Sequence, residues 1–152
     1  MLKKLLMAVF VVILVAGCAG GGVNLSLDTL VFASDVTRMG DFTKLEDTNF
    51  IENQKVFVMA VVSGFASEQT GEDAWSSWPI VTLKLRNSEG KLLNTTQPFT
   101  DMVETEVEQT EFKLPSEVTI SAKSGDYTIE VIVEDGITGE RATGELKFKV
   151  SK

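Results

Sequence analysis

Cys18 is the only cysteine in the chain, and there is no histidine at all. Without imidazole, the serine and cysteine triads and the metal sites that depend on histidine are excluded. Without a second thiol, Cys18 cannot close an internal disulfide, so the chemistry open to it is modification. Carboxylates are plentiful, with 22 Asp and Glu against 14 Lys and Arg. In so acidic a chain, two carboxylates close in sequence do not mark a general acid and base. No Gly-x-Ser-x-Gly nucleophile motif occurs. Calcium takes six to eight oxygens, and the acidic stretches Glu134-Asp135 and Asp101 to Glu108 lack the alternating aspartates with a bidentate closer. No catalytic residue, metal site or cofactor is expected.

Trp75 and Trp78 are the remaining pair with chemical potential. Tryptophans three apart in a loop could form a platform for a sugar ring or for a partner's apolar side chain. The other use is structural, with one ring in the core at the start of the next strand and the other packed under the loop. Trp75 stands among Glu72, Asp73, Ser76 and Ser77, which offer little cover, so it is expected to be exposed. Trp78 precedes Pro79 and is therefore biased towards an extended conformation, so it is expected to be the buried one.

The elements that carry these residues are short and extended. Gly125 to Val150 is the clearest stretch: Tyr127, Ile129, Val131 and Val133 share one parity, and so do Ala142, Gly144, Leu146, Phe148 and Val150. Side chains alternate across a strand, so each run has an apolar face and a mainly polar one. Asp135-Gly136 and Gly139 supply the turn between them, and the pair reads as a hairpin. Lys55 to Ser63 is apolar on both parities, as in a strand buried on both faces or one whose outer face a loop covers. Ile80 to Arg86 alternates again, followed by a turn at Asn87-Ser88-Glu89-Gly90 and a return strand over Lys91 to Thr96. Leu30 to Val36 is a candidate first strand. Gly40 to Asn53 reads as a loop in which Phe42 and Phe50 cap an open edge of the core. Ser67 to Ser77 reads as a polar loop. Asp101 to Leu114 reads as an edge strand with a solvated acidic face, which discourages aggregation. Pro115 and Ser116 are expected to end it, with a short strand over Val118 to Ala122 beyond.

The chain of 152 residues allows one domain and a short targeting segment. With 43% hydrophobic and 24% charged residues it can bury a core. Its formal charge of −8 disfavours nucleic acid and anionic lipid surfaces, which call for clustered Lys or Arg. Loss of Lys3 and Lys4 with a leader leaves 12 basic against 22 acidic residues, or −10.

The N-terminus supplies the address. Met1-Leu2-Lys3-Lys4 is a basic start, Leu5 to Val15 an apolar core, and Ala16-Gly17 the small residues of a cleavage site. Val15-Ala16-Gly17-Cys18 resembles the lipobox of bacterial lipoproteins. That resemblance implies cleavage before Cys18, lipid on its thiol, and a further acyl group on the new amino terminus. Two or more chains anchor stably where one is marginal. Ala19, in place of the aspartate that retains such proteins at the inner membrane, implies the outer membrane where the organism has two, and otherwise the cell surface. The expected organisation is a signal peptide over 1–17, the lipidated cysteine with a flexible tether over 18–26, and a domain over 27–152.

Counting strands gives roughly seven or eight, spaced as in an antiparallel sandwich. The Gly125 to Val150 stretch resembles the last two strands of immunoglobulin-like and fibronectin-like domains, in which a tyrosine near the penultimate strand anchors a corner. The expected fold is all-β, a single antiparallel immunoglobulin-like β-sandwich without the antibody disulfide. The expected function is that of a membrane-anchored, non-catalytic protein-binding module of the cell envelope, contacting its partner through the Ser67 to Pro79 loop. A glycan-binding module using Trp75 and Trp78, or a passive structural subunit of an envelope complex, are the alternatives.

Overall fold

The computed structural model describes residues 24–152 apart from Met39. The signal-peptide and lipidation readings, Cys18 included, lie outside the described residues. Among those residues the chain is all-β, with twelve strands: β1 (Ser26–Val36), β2 (Phe42–Lys44), β3 (Asn49–Ile51), β4 (Lys55–Ser63), β5 (Glu68–Gly71), β6 (Ala74–Ser77), β7 (Pro79–Asn87), β8 (Leu92–Phe99), β9 (Val103–Thr105), β10 (Glu111–Thr119), β11 (Gly125–Asp135) and β12 (Arg141–Ser151).

Seven of these build the sandwich. One sheet runs β10-β4-β1 with β2 at its edge, and the other runs β12-β11-β7-β8 with β3 at its edge. This is the strand order of an immunoglobulin-like sandwich of the fibronectin type. The expected hairpin is β11–β12, and its register sets Tyr127 opposite Phe148 and Val133 opposite Ala142. Its inward parity is the apolar one, and Val131 and Val133 are wholly buried. Gly144 lies on that parity because the facing sheet comes close: a Cβ there would sit 2.7 Å from both Leu27 and Leu30. Tyr127 marks the corner, its hydroxyl donating to the Lys123 carbonyl at 2.8 Å. β4 is central in its sheet, which accounts for its double apolar parity. Val56, Val58, Ala60 and Val62 enter the core while Met59, on the other face, is also fully buried.

Three expectations about local structure need correction. The stretch Gly40 to Asn53 is not all loop, since it holds β2 and β3. β3 runs parallel to β12, the one parallel pair among the described residues. That pairing carries Phe50 into the core rather than to its rim. Its ring meets Phe32 at 5.0 Å and Phe148 at 5.7 Å, and it is 1% exposed. Next, Pro115 and Ser116 do not break the chain. They sit inside β10, opposite Met59 and Val58 of β4. β10 is an edge strand, so a residue without an N–H is tolerated there, and Ser116 continues the buried parity of Phe112 and Leu114. Finally, Ile120 to Ala122 lies past the end of β10, and the acidic stretch is not one edge strand: it forms β9 over Val103–Thr105 and enters β10 only from Glu111.

Candidate functional site

The segment expected to be a polar loop instead supplies two of the three strands of a small third sheet, β5-β6-β9. β5 and β6 form a hairpin, with Gln69 opposite Trp75, and the Gly71 to Ala74 turn closes it. β9 pairs with β6 on the other side, with Ser77 opposite Val103 and Trp75 opposite Thr105. β6 continues the line of β7 and β9 that of β8, so this flap prolongs the β7–β8 ladder beyond the end of the sandwich. The Ser77 hydroxyl donates to the Gln109 carbonyl at 3.2 Å, and Phe65 N–H to the Thr110 carbonyl at 3.1 Å, which fixes the return to β10.

Trp75 and Trp78 both belong to this end, but their exposure is the reverse of that expected. Trp78 is 37% exposed and Trp75 is half-buried. Strand parity is the reason. Ser77, Pro79, Val81 and Leu83 take the inward positions, which turns Trp78 outward; Trp75 shares their parity but lies past the edge of the core. Proline does extend the chain into β7 as expected, yet extension alone does not decide which side a neighbour faces. The Trp78 ring rests on Gly136 of the β11–β12 turn, where an added Cβ would come within 2.6 Å of its Cγ. Its Nε1 donates to the Thr100 carbonyl at 2.8 Å, and its own carbonyl accepts from Gly136 N–H at 2.7 Å. Trp78 is thus both a clasp between three segments and an exposed apolar surface.

Asp135 was singled out in sequence as half of an acidic pair. Its carboxylate is 1% exposed and accepts from Ala66 N–H at 2.7 Å, Ile137 N–H at 2.9 Å and Thr138 N–H at 3.4 Å. Those donors use both carboxylate oxygens and tie the β11–β12 turn to the chain leaving β4. Among the described residues no cluster of three acidic or thiol side chains is arranged to hold a metal.

Two further features of the flap end come from the structure alone. Met102 (55% exposed) and Val107 (69%) join Trp78 there as large exposed hydrophobic residues. Around them lie Glu68, Glu72, Asp73, Asp101, Glu104, Glu106 and Glu108, all exposed, and no Lys or Arg occurs between Gly64 and Leu83 or between Leu92 and Phe112. The chain also enters the domain at this end. Leu25 N–H donates to Glu140 Oε2 at 3.1 Å, and Gly64, at φ +86°, packs against the Asn24 carbonyl. Nearby, hydrogen bonds from Ser63 and Ser26 hold the Asp28 carboxyl below the usual carboxylate range.

A cleft of about 560 Å³ opens at the far end, in the seam between the edge strands β8 and β10. Leu83, Leu85, Val118, Ile120, Ile129 and Phe148 form its floor, and Asn94, Thr96, Glu117, Thr119, Ser121 and Lys123 its rim. No local sequence signal announces it, because its floor is ordinary strand parity left uncovered where two edges stand apart.

No family model and no curated protein matches the sequence. Solved structures do match in shape. The C-terminal domain of Wzt superposes with a TM-score of 0.56 at 12% identity, over 85% of this chain and 74% of that one. A family 123 glycoside hydrolase from Clostridium perfringens gives 0.50 at 10% identity, over 85% of this chain but 27% of the enzyme. The likeness is one of fold.

Proposed function

We propose that the protein is a membrane-anchored, non-catalytic module that binds another protein through its flap. The carrying observation is the flap itself. The seven-stranded sandwich is complete without it, yet it holds Trp78, Met102 and Val107 exposed at one end. Exposed apolar side chains gathered at one end mark contact surfaces, and tryptophan is among the residues enriched as anchors in them. The surrounding carboxylates, with no base among them, suit a partner whose rim is basic. The same carboxylates oppose direct docking on anionic lipid.

Lipid on Cys18 gives this surface its place. Six residue steps carry the chain from Cys18 to Asn24, a reach of at most about 20 Å. Since the chain enters at the flap end, the flap stays beside the bilayer and the cleft points away from it. The partner is then a protein of the membrane or held close to it, in the outer membrane where there are two.

The test uses Met102→Asp and Val107→Asp, both at exposed positions where the fold loses little. Cross-linking in intact cells should trap a defined partner with the parent chain, lose it in each variant, and weaken as salt rises. A partner retained equally by both variants would refute the flap as the contact. Quenching of tryptophan fluorescence by oligosaccharides, with no protein trapped, would transfer the surface to a glycan.

A further inference from the structure

The cleft between β8 and β10 shares no lining residue with the flap. Its floor includes residues that belong to the core, Ile129 at 3% and Phe148 at 4% exposure, so it reaches inward between the two sheets. Its volume of about 560 Å³ falls in the range of sites that take small molecules. Leu93, 47% exposed, stands at the mouth.

The strands beside it are poor templates for a peptide. The β7–β8 ladder shifts register twice, between Val81 and Leu83 and between Leu85 and Arg86, and Pro98 lies in β8. On the opposite side β10 carries Pro115. Bulges and prolines at an edge discourage pairing with an added strand. A peptide in the seam would therefore leave main-chain groups unpaired against an apolar floor, which is costly. A flexible hydrocarbon chain has no such groups.

The rim sets the head group. Its two charged residues are Glu117 and Lys123. Glu117 is neutralised by Lys55 at 2.9 Å, whereas Lys123 forms no ion pair among the described residues. In a chain of net charge −8, the free charge at this mouth is a cation. Its backbone position is fixed as well, since the Lys123 carbonyl accepts the Tyr127 hydroxyl, and Tyr127 itself lines the cleft. We propose that the cleft binds a single-chain anionic amphiphile, a long-chain fatty carboxylate in the simplest case, with the chain on the Leu85–Ile129–Phe148 floor and the carboxylate at Lys123.

The experiment adds a photoactivatable palmitate analogue to isolated membranes bearing the full chain, then maps labelled positions by mass spectrometry. Labelling should concentrate on the segments Leu83 to Thr96 and Val118 to Lys123, and unlabelled palmitate should compete. Lys123→Glu should lower it about two- to fivefold, the worth of one exposed ion pair. Ser121→Trp, an exposed position at the mouth, should lower it at least as far by obstruction. Label spread evenly over the surface, or unchanged in both variants, would overturn the site. Competition by hexadecanol as strong as by palmitate would overturn the anionic head group. Neither variant touches the flap, so loss of the partner contact and loss of this site are read separately.

Discussion

Replacing Asp135 by alanine should cost more than any other single polar substitution in the domain. The carboxylate is buried and receives two short backbone N–H bonds, from Ala66 at 2.7 Å and Ile137 at 2.9 Å, while the Thr138 bond at 3.4 Å contributes little. Hydrogen bonds to a charged acceptor are worth about 1.5–3 kcal/mol each, and the alanine variant also leaves the donors unpaired in a half-buried setting. The expected loss is about 3–5 kcal/mol, a large part of the roughly 5–15 kcal/mol that holds a domain together. Asp135→Asn keeps one acceptor oxygen in place and should lose about half as much. Urea melts of both variants give the numbers, with an unchanged denaturant slope showing that the folded and unfolded states are otherwise alike. If Asp135→Ala melts within about 0.5 kcal/mol of the parent, the carboxylate is not the tie between the turn and the chain after β4.

Three further outcomes follow from named contacts. Gly136→Ala puts a methyl group into the Trp78 ring, so it should cost about 1–3 kcal/mol and shift tryptophan emission to the red; an unshifted spectrum would contradict the clasp. Phe148→Ala removes a ring that meets Phe32, Phe50 and Tyr127, with an expected loss of about 3–5 kcal/mol, whereas Lys147→Ala and Lys149→Ala on the outer face should stay within about 0.5 kcal/mol in denaturant melts. Cys18→Ser removes the sulfur needed for thioether attachment, so the protein should be unprocessed or released; fatty-acid labelling that persists in the variant would contradict anchoring there.

The sandwich was legible because its signal is local and repeated. Period-two patterning over Tyr127 to Val133 and Ala142 to Val150 specifies an inner face, and a shift by one residue would expose it all. β4 and β7 carried the same information, and their limits were found within about a residue or two. What escaped was decided by partners far away in sequence. Phe50 is core because β3 lies beside β12, and Pro115 is tolerated because β10 is an edge; neither fact is visible within a window of neighbours. The flap was hidden by its polar composition, since β5 and β9 face solvent on much of their surface and give no apolar alternation.

The tryptophans show the same limit within a single segment. Trp78 does lead into the third long strand, β7, but Trp75 lies in β6 and not in a loop, and the exposure of neither follows from its neighbours' polarity or from Pro79. Extending the Val81-Leu83-Leu85 parity backwards through Pro79 to Ser77 would have turned Trp78 outward. The cleft had no comparable signal, because it is made by the separation of two edges and not by the residues of either.

The most direct measurement of the proposed function places a photo-crosslinking amino acid at Met102, on the flap, and separately at Ser88, in the exposed turn at the other end of the sandwich. In intact cells the Met102 position should yield a cross-link to one defined, basic-surfaced membrane-associated protein, and Ser88 should yield none to it. Equal capture of that protein from both positions, or capture from Ser88 alone, would contradict the account.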